Sequence, residues 1–379
     1  MAVQLPDGYK PGLEGVVAGT TGICEIDPAI DALIYRGYAA YELAQQALYS
    51  EVAYLLLYGK LPTVAELEVF RDELTRERVL PPFALKVLKS LPKKTLPMTA
   101  LQIGIACCQT YDPDVENYSV EANLAKAKRL IAKTPTIVAA ISRLRDGKPP
   151  IAPDPKLSHA ANFLYMVTGK EPEPVVAKAF DSTMILYAEH GYNASTFSAL
   201  VTSSTLSDMH SAVVSAIGTL RGSLHGGANR GAIEVLLKIR DAKKVESWVA
   251  KALAKKEKIM GFGHRIYKNI DTRTPYMKVL AEETARRIGD TKIYPLAVKL
   301  EEAMKREKNI PPNVDYYAAV FYYLIGLKKE IYTPIFAMAR MAGWTSHIIE
   351  QHAHNRLIRP ECVYTGPRGL SFVPLIDRK

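Results

Sequence analysis

Residues 40–59 read Ala40-Tyr-Glu-Leu-Ala-Gln-Gln-Ala-Leu-Tyr-Ser-Glu-Val-Ala-Tyr-Leu-Leu-Leu-Tyr-Gly59, and this stretch indicates the fold class most clearly. Its apolar side chains recur every three or four residues, which predicts one amphipathic helix, and the final glycine is typical of a helix end. Thr63-Val-Ala-Glu66 follows Pro62 and matches a capping box, so another helix is expected to begin there. Helix therefore follows helix with few residues between them.

Proline and glycine mark the ends of further predicted helices. Pro81-Pro82 and Pro92 bracket a short one. Thr134-Pro135 predicts an N-cap followed by proline at the first helical position, in a helix that ends at Gly147. The same signals predict helices over residues 174–190, 229–240 and 332–343.

Extended structure is predicted only for residues 15–24, Gly-Val-Val-Ala-Gly-Thr-Thr-Gly-Ile-Cys. The sequence contains no series of alternating strands, no GxGxxG motif after a strand, no P-loop and no internal repeat. Rossmann and P-loop chemistry are therefore not expected. We predict an all-α fold and, at 379 residues, one large domain or two unequal ones.

The composition is that of a globular protein, with 48% hydrophobic and 23% charged residues. No apolar run approaches the ~20 residues that span a bilayer, and the first residues lack the pattern of a signal peptide, so a cytoplasmic protein without membrane contact is expected. The net charge of +10 fits either nucleic-acid binding or a cationic cleft for a small anion. No nucleic-acid-binding module is recognisable in the sequence. The positions of the arginines also favour a cleft that binds a small anion.

Four cysteines lack the spacing of a metal site: Cys24, Cys107, Cys108 and Cys362. Free thiols are the favoured interpretation. A disulfide between Cys24 and Cys362 stays open as an alternative, because it would suit the oxidised interior of a hyperthermophile.

Three short segments carry the chemistry, and they contain His225 among glycines, His264 among glycines, and Asp315 at the start of a tyrosine-rich helix. A neutral imidazole beside a helix N-terminus can stabilise an enolate oxygen, and a carboxylate against apolar side chains is a stronger base. His264 with Arg273 could polarise a carbonyl and clamp a carboxylate. The alternatives are a core histidine, a basic surface loop and an ordinary first-turn aspartate. Together the segments predict proton removal next to a carbonyl.

Two further segments suggest partners. Basic residues crowd between Lys251 and Lys278 around the glycine loop 260–263, which suits a phosphorylated cofactor or, alternatively, a solvated helix face. Residues 356–368 have no helical period and predict an extended arm that wraps either its own chain or a partner subunit.

The chain resembles the citrate synthase family in its shorter archaeal and bacterial form, over nearly the full length. The resemblance implies an all-helical homodimer with a large domain (1–226 and 326–379) and a smaller domain (227–325) that closes over the substrates. It rests on the segments that hold His225, His264 and Asp315, together with Leu13–Thr20, Tyr35–Tyr38, Glu51–Leu56, Arg359-Pro360 and Tyr364–Pro367.

The resemblance also implies the reaction. Asp315 would remove a methyl proton from acetyl-CoA while His225 binds the thioester oxygen, and the enol would attack oxaloacetate polarised by His264. No metal and no permanently bound cofactor are implied, and CoA is a co-substrate. Oxaloacetate would be held by His190, Arg273, Arg340 and, from the partner subunit, Arg359; CoA would be contacted by Lys258, Ile259, Met260, Gly261 and Phe262.

Two other functions are considered. The first is 2-methylcitrate synthesis from propionyl-CoA on the same residues, which motifs do not distinguish because one methylene is worth only ~1–3 kcal/mol. The second is a non-catalytic helical scaffold or basic binding protein, which the presence of all three catalytic residues disfavours.

Overall fold

Helices make up most of the computed structural model, which describes residues 8–27, 32–263, 267 and 270–378. The prediction of an all-α fold is confirmed. The described part contains the helices α1 Ala40–Gln46, α2 Tyr49–Tyr58, α3 Val64–Glu77, α4 Pro82–Ser90, α5 Pro97–Gln109, α6 Val120–Arg145, α7 His159–Thr168, α8 Pro174–Tyr187, α9 Ala194–Ser204, α10 Met209–Leu220, α11 Ala228–Ile239, α12 Val245–Ala254, α13 Thr274–Ile288, α14 Ile293–Lys308, α15 Val314–Leu324 and α16 Tyr332–Ala353.

The stretch 40–59 forms two helices, so the prediction of one continuous helix was wrong. Leu48 is extended between α1 and α2, and its N–H donates to Glu51 Oε1 at 2.8 Å. The next amide, of Tyr49, donates at 2.6 Å to the buried carboxylate of Asp181 on α8. This cap from a distant helix begins α2 at Tyr49, whereas Gly59 ends it in the left-handed conformation, as predicted.

Pro135 lies inside α6, so the prediction that a helix begins at Thr134 was wrong. The helix begins earlier, where Ser119 Oγ accepts the Ala122 amide at 3.3 Å. Proline inside a helix costs ~3 kcal/mol because it removes a hydrogen bond. Burial of nearly every residue between Leu130 and Ser142 offsets that cost.

Gly343 does not end a helix, because α16 continues to Ala353. A β-carbon at this position would lie 2.0 Å from Glu189 Oε2 and 2.4 Å from the carbonyl oxygen of Ala188. The glycine therefore permits close packing of α16 against the chain that follows α8. This central helix is buried from Tyr332 to Ile348 and carries one of the predicted arginines, Arg340, into the core.

Extended structure lies later in the chain than predicted. A three-stranded antiparallel sheet, in the order β1-β2-β3, forms from Cys24–Asp27, Ala32–Tyr35 and Tyr38–Ala39. Only Cys24 of the predicted stretch belongs to it. The strands are fixed by a buried anchor, since Tyr35 Oη donates to the carbonyl oxygen of Glu189 at 2.9 Å.

The remaining features concern the chain ends and the surface. The arm 356–368 contains no helix or strand, as predicted, and it is largely exposed. All four cysteines are free thiols. No helix in the described ranges is long and apolar enough to cross a membrane.

Candidate active site

Asp315 stands in the first turn of α15, where the side chain of Asn313 caps the helix and accepts the Asp315 amide at 3.1 Å. Its Oδ1 accepts a hydrogen bond of 2.6 Å from the hydroxyl of Tyr187, the last residue of α8. Burial raises the pKa of Asp315 to about 6, against the lowering effects of the Tyr187 hydrogen bond and the Arg273 charge. The carboxylate is therefore ionised at neutral pH, yet a stronger base than an exposed aspartate.

His225 lies in the loop between α10 and α11 and is oriented by Ser195 at the start of α9. The Ser195 amide donates to Nε2 at 3.3 Å, and Ser195 Oγ lies 2.9 Å from the same nitrogen. An amide N–H can only donate, so Nε2 accepts and Nδ1 carries the proton. Burial, and then the charge of Arg340, lower the pKa of His225 to about 4, which keeps the ring neutral. Nδ1–H is thus a neutral donor suited to a developing oxyanion.

Arg340 is a buried cation on α16. Its Nε donates to the carbonyl oxygen of Tyr187 at 2.7 Å, and its guanidinium lies 4.9 Å from the ring centre of Phe336. Burial lowers its pKa, an effect that the nearby carboxylate of Glu189 opposes. Nη1 is buried without a hydrogen-bond partner among the described residues. A buried N–H donor without an acceptor costs free energy of folding unless a bound ligand accepts its hydrogen bond. Because the guanidinium is positively charged, an anion is the ligand that fits.

Glu189 is a functional neighbour that the sequence did not reveal. Its fully buried carboxylate lies 3.1 Å from Nε2 of His347 and accepts the His190 amide at 2.8 Å. Burial alone would raise its pKa, but His347, Arg340 and the His190 amide together bring it below the ordinary value. The ionised group therefore holds His190 in place and supplies negative charge near Arg340. Its position next to His190 was the one signal in the sequence.

Asp271 was also missed by the sequence analysis, and it forms hydrogen bonds both with Arg273 and with the backbone next to Asp315. Both of its oxygens accept hydrogen bonds of 2.8 Å from the guanidinium of Arg273. Its Oδ2 also accepts the amide of Val314, the residue before Asp315, at 3.0 Å. Burial would lower the pKa of Arg273, but the Asp271 carboxylate outweighs it and raises the pKa. The spacing Asp-Thr-Arg could have suggested this pair.

The predicted CoA loop is docked on the start of α15. The carbonyl oxygen of Gly261 accepts the Asn313 amide at 2.9 Å, and the ring of Phe262 lies 4.7 Å from that of Tyr316. Gly261 has a φ of +90°, and a β-carbon there would lie 2.8 Å from Tyr316 Cδ2, so only glycine fits. Ile259 is buried, Met260 is half-buried and Lys258 is exposed.

The structure brings most, but not all, of the predicted residues together. The charge of Arg340 affects the pKa of both Asp315 and His225, and Arg273 also acts on Asp315. His264 lies outside the described residues. Arg359 is exposed on the C-terminal arm and forms no hydrogen bond or ion pair with these residues in the described part of its own chain.

Fold and site together define a class of protein. An all-helical scaffold presents a carboxylate base with a pKa of about 6, a neutral imidazole donor and two buried arginines. This arrangement is suited to forming an enolate next to an anion-binding site, and it is typical of an enzyme.

Comparisons with known proteins identify the family. A family model described as "Citrate synthase, C-terminal domain" matches residues 12–361. Citrate synthase of Haloferax volcanii is 46% identical, with 97% of this chain and 99% of that protein covered. The 2-methylcitrate synthase of Mycobacterium tuberculosis is 44% identical, with 96% and 92% covered. This chain belongs to the citrate synthase family and is an acyltransferase.

Solved structures agree with this assignment. The crystal structure of citrate synthase from Pyrobaculum aerophilum has a TM-score of 0.92 at 39% identity, covering 99% of this chain and 97% of that one. The citrate synthase of Thermoplasma acidophilum, solved as a ternary complex with carboxymethyl coenzyme A and oxaloacetate, has a TM-score of 0.93 at 33% identity, covering 98% of this chain and 100% of that one.

Proposed function

We propose that this chain condenses acetyl-CoA with oxaloacetate and water to give citrate and CoA. The observation that carries the proposal is that three features occur together near Asp315. Asp315, the proposed base, has a pKa of about 6, and the loop 258–262 packs beside it. The buried Nη1 of Arg340 has no hydrogen-bond partner among the described residues and can donate to a bound anion. A base, a site for an acyl carrier and a site for a carboxylate are what this condensation requires.

The proposed chemistry begins with enolisation. Asp315 removes a methyl proton from acetyl-CoA, and Nδ1–H of His225 binds the thioester oxygen as it becomes negative. One oxyanion donor contributes roughly 10²–10³ in rate, and positioning contributes ~7–11 kcal/mol. Because the methyl group is a far weaker acid than a carboxylic acid, the raised pKa of Asp315 alone would be insufficient.

Carbon–carbon bond formation follows. The enol carbon attacks the ketone of oxaloacetate, and His264 with Arg273 polarises that carbonyl. His190 and Arg340 hold the carboxylates of the same substrate. Water then cleaves the thioester of citryl-CoA, which releases citrate and CoA. No metal ion or resident cofactor takes part in this proposal.

We propose that residues 227–325 form a smaller domain that closes over the substrates. Asp315 and Arg273 belong to this range, whereas His190 and Arg340 lie outside it. An oxaloacetate molecule that contacts both arginines would draw the two parts together. Such closure excludes water, which would otherwise hydrolyse the thioester unproductively.

We further propose a homodimer in which Arg359 completes the oxaloacetate site of the partner. Arg359 is exposed on its own chain, and the arm that carries it continues into exposed apolar residues such as Phe372 (82% exposed) and Ile376 (92% exposed). Large apolar side chains on an extended arm are typical of a segment that packs on another subunit. Free thiols support the cytoplasm as the compartment of the reaction.

Mixed dimers test the exchange of the arm. Arg340→Ala and Arg359→Ala homodimers are each expected to lose oxaloacetate affinity. When the two chains are co-expressed with different tags, the mixed dimer regains one complete site of two, so its purified form should show about half the wild-type kcat per dimer. Co-expression of either variant with the double variant Arg340→Ala/Arg359→Ala is the control and should restore nothing. Absence of recovery in the first mixture would mean that Arg359 does not act across the subunits.

The acyl donor is tested by steady-state release of CoA. With saturating oxaloacetate, kcat/KM is expected to be higher for acetyl-CoA than for propionyl-CoA, by roughly 10–200-fold if a snug pocket rejects one methylene. A preference for propionyl-CoA would support 2-methylcitrate synthesis, the activity for which some relatives are named. Release of CoA from neither substrate would contradict the proposed function.

A further inference from the structure

One residue contacts both the base and the anion site. The hydroxyl of Tyr187 donates to Oδ1 of Asp315 at 2.6 Å, and the carbonyl oxygen of Tyr187 accepts Nε of Arg340 at 2.7 Å. Its side chain is fully buried, and its ring lies edge-on to Phe336 with 4.5 Å between the ring centres. Tyr187 thus stands at the end of α8 between two groups that have separate tasks in the reaction.

We propose that Tyr187 is a positioning residue that holds the carboxylate of Asp315 for proton removal and fixes its position relative to Arg340. The inference rests on the proposed role of Asp315 as the base. With Oδ1 occupied by the phenol, Oδ2 is the oxygen that takes the methyl proton. Because Tyr187 lies outside residues 227–325 and Asp315 lies inside, the hydrogen bond also crosses the boundary between the proposed domains.

The chemistry of a phenol suits this task. A buried ammonium or guanidinium in the same place would stabilise the carboxylate so strongly that it would no longer be a useful base. A phenol is neutral and contributes one donor, so it orients the carboxylate with a smaller loss of basicity. The edge-on ring of Phe336 restricts the Tyr187 ring, which keeps the donor directed at Oδ1.

The charges around Asp315 determine the direction of the expected pH effect. Burial raises the pKa of Asp315, and the hydrogen bond from Tyr187 is the largest opposing influence, ahead of Arg273 and Arg340. The Asp271 carboxylate raises this pKa, and the phenol of Tyr322 also faces Asp315. Removal of the Tyr187 hydroxyl should therefore raise the pKa of Asp315 above about 6. Less of the base would then be ionised near neutral pH.

The variant Tyr187→Phe tests the proposal because it keeps the ring and its packing. We expect kcat to fall about tenfold and the acid limb of its pH profile to move upward by about one pH unit. KM for oxaloacetate should stay within about twofold, because the backbone carbonyl that meets Arg340 is retained. A tyrosine that served only packing would leave the pH profile unchanged.

The control is Tyr332→Phe. Tyr332 is equally buried, but its hydroxyl donates to the carbonyl oxygen of Leu327 at 3.3 Å and not to a carboxylate. This variant should retain the wild-type acid limb. Site-specific replacement of Tyr187 by 2,3-difluorotyrosine, a more acidic phenol of nearly the same shape, should move the limb downward and provides a readout if Tyr187→Phe does not fold.

The outcomes separate this inference from the function on which it rests. A wild-type kcat and acid limb in Tyr187→Phe, or an unshifted limb with the fluorinated residue, would overturn the role of Tyr187. Loss of turnover in Asp315→Asn at the same time would leave the proposed function intact. Full turnover in Asp315→Asn would instead remove Asp315 as the base, and with it both proposals.

Discussion

Asp315→Ala is expected to lose condensation activity while it continues to bind oxaloacetate. General-base catalysis contributes roughly 10²–10⁴ in rate, and kcat should fall by at least that factor because the variant offers no other carboxylate at the same point. Oxaloacetate affinity should change by less than about threefold, since Asp315 forms no hydrogen bond among the described residues with Arg273 or Arg340, the arginines proposed to hold the anion. Steady-state CoA release and calorimetric titration with oxaloacetate measure the two quantities separately.

The wild-type pH profile provides an independent check on the same residue. A base must be ionised to accept a proton, and burial raises the pKa of Asp315 to about 6. Activity is therefore expected to be present above this pH and to be lost as the pH falls through about 6. Asp315→Asn, which preserves the shape of the side chain, is the matched variant. If either variant keeps full turnover, another group removes the proton.

His225→Ala is the second large effect. Loss of one donor to a developing oxyanion costs roughly 10²–10³ in kcat, and we expect a decrease of this size at saturating substrates. The physical basis is the Nδ1–H donor, which exists because Ser195 occupies Nε2 and because burial keeps the ring neutral with a pKa of about 4. Oxaloacetate affinity should remain close to wild type in the same titration.

His225→Gln is the informative partner of that variant. Glutamine also offers a neutral N–H donor, so it should recover part of the activity that alanine loses. Because the pKa of His225 lies near 4, this residue should add no limb to the pH profile between pH 5 and 9. An unchanged kcat in His225→Ala would show that the enolate oxygen is stabilised elsewhere.

Local signals located many helix ends correctly. Thr63 and Glu66 form the predicted capping box, and α4 begins at Pro82, as the proline pattern indicated. These features depend on residues within one helical turn, so the sequence contains all of the information that they require. Prediction failed at Pro135 and Gly343, where tertiary packing overrides the usual meaning of proline and glycine.

The candidate site shows the same division. His225 and Asp315 were predictable from glycine neighbours and from an acidic residue before a tyrosine-rich helix. Glu189 and Asp271 had only weak signals in the sequence. The one signal for each was that it lies within two residues of a residue predicted to bind oxaloacetate, His190 or Arg273. Tyr187 had no signal, since its partner Asp315 is 128 residues away in the chain.

The sequence by itself determined the all-helical class, local helix caps such as the one formed by Thr63 and Glu66, and the chemical groups available for catalysis. Each of these depends on the type of a side chain and on neighbours a few residues away. Only the tertiary structure decided which oxygen of Asp315 is bonded, what its pKa is, and which nitrogen of His225 carries the proton. These properties arise from burial and from hydrogen bonds between distant segments, which no local pattern encodes.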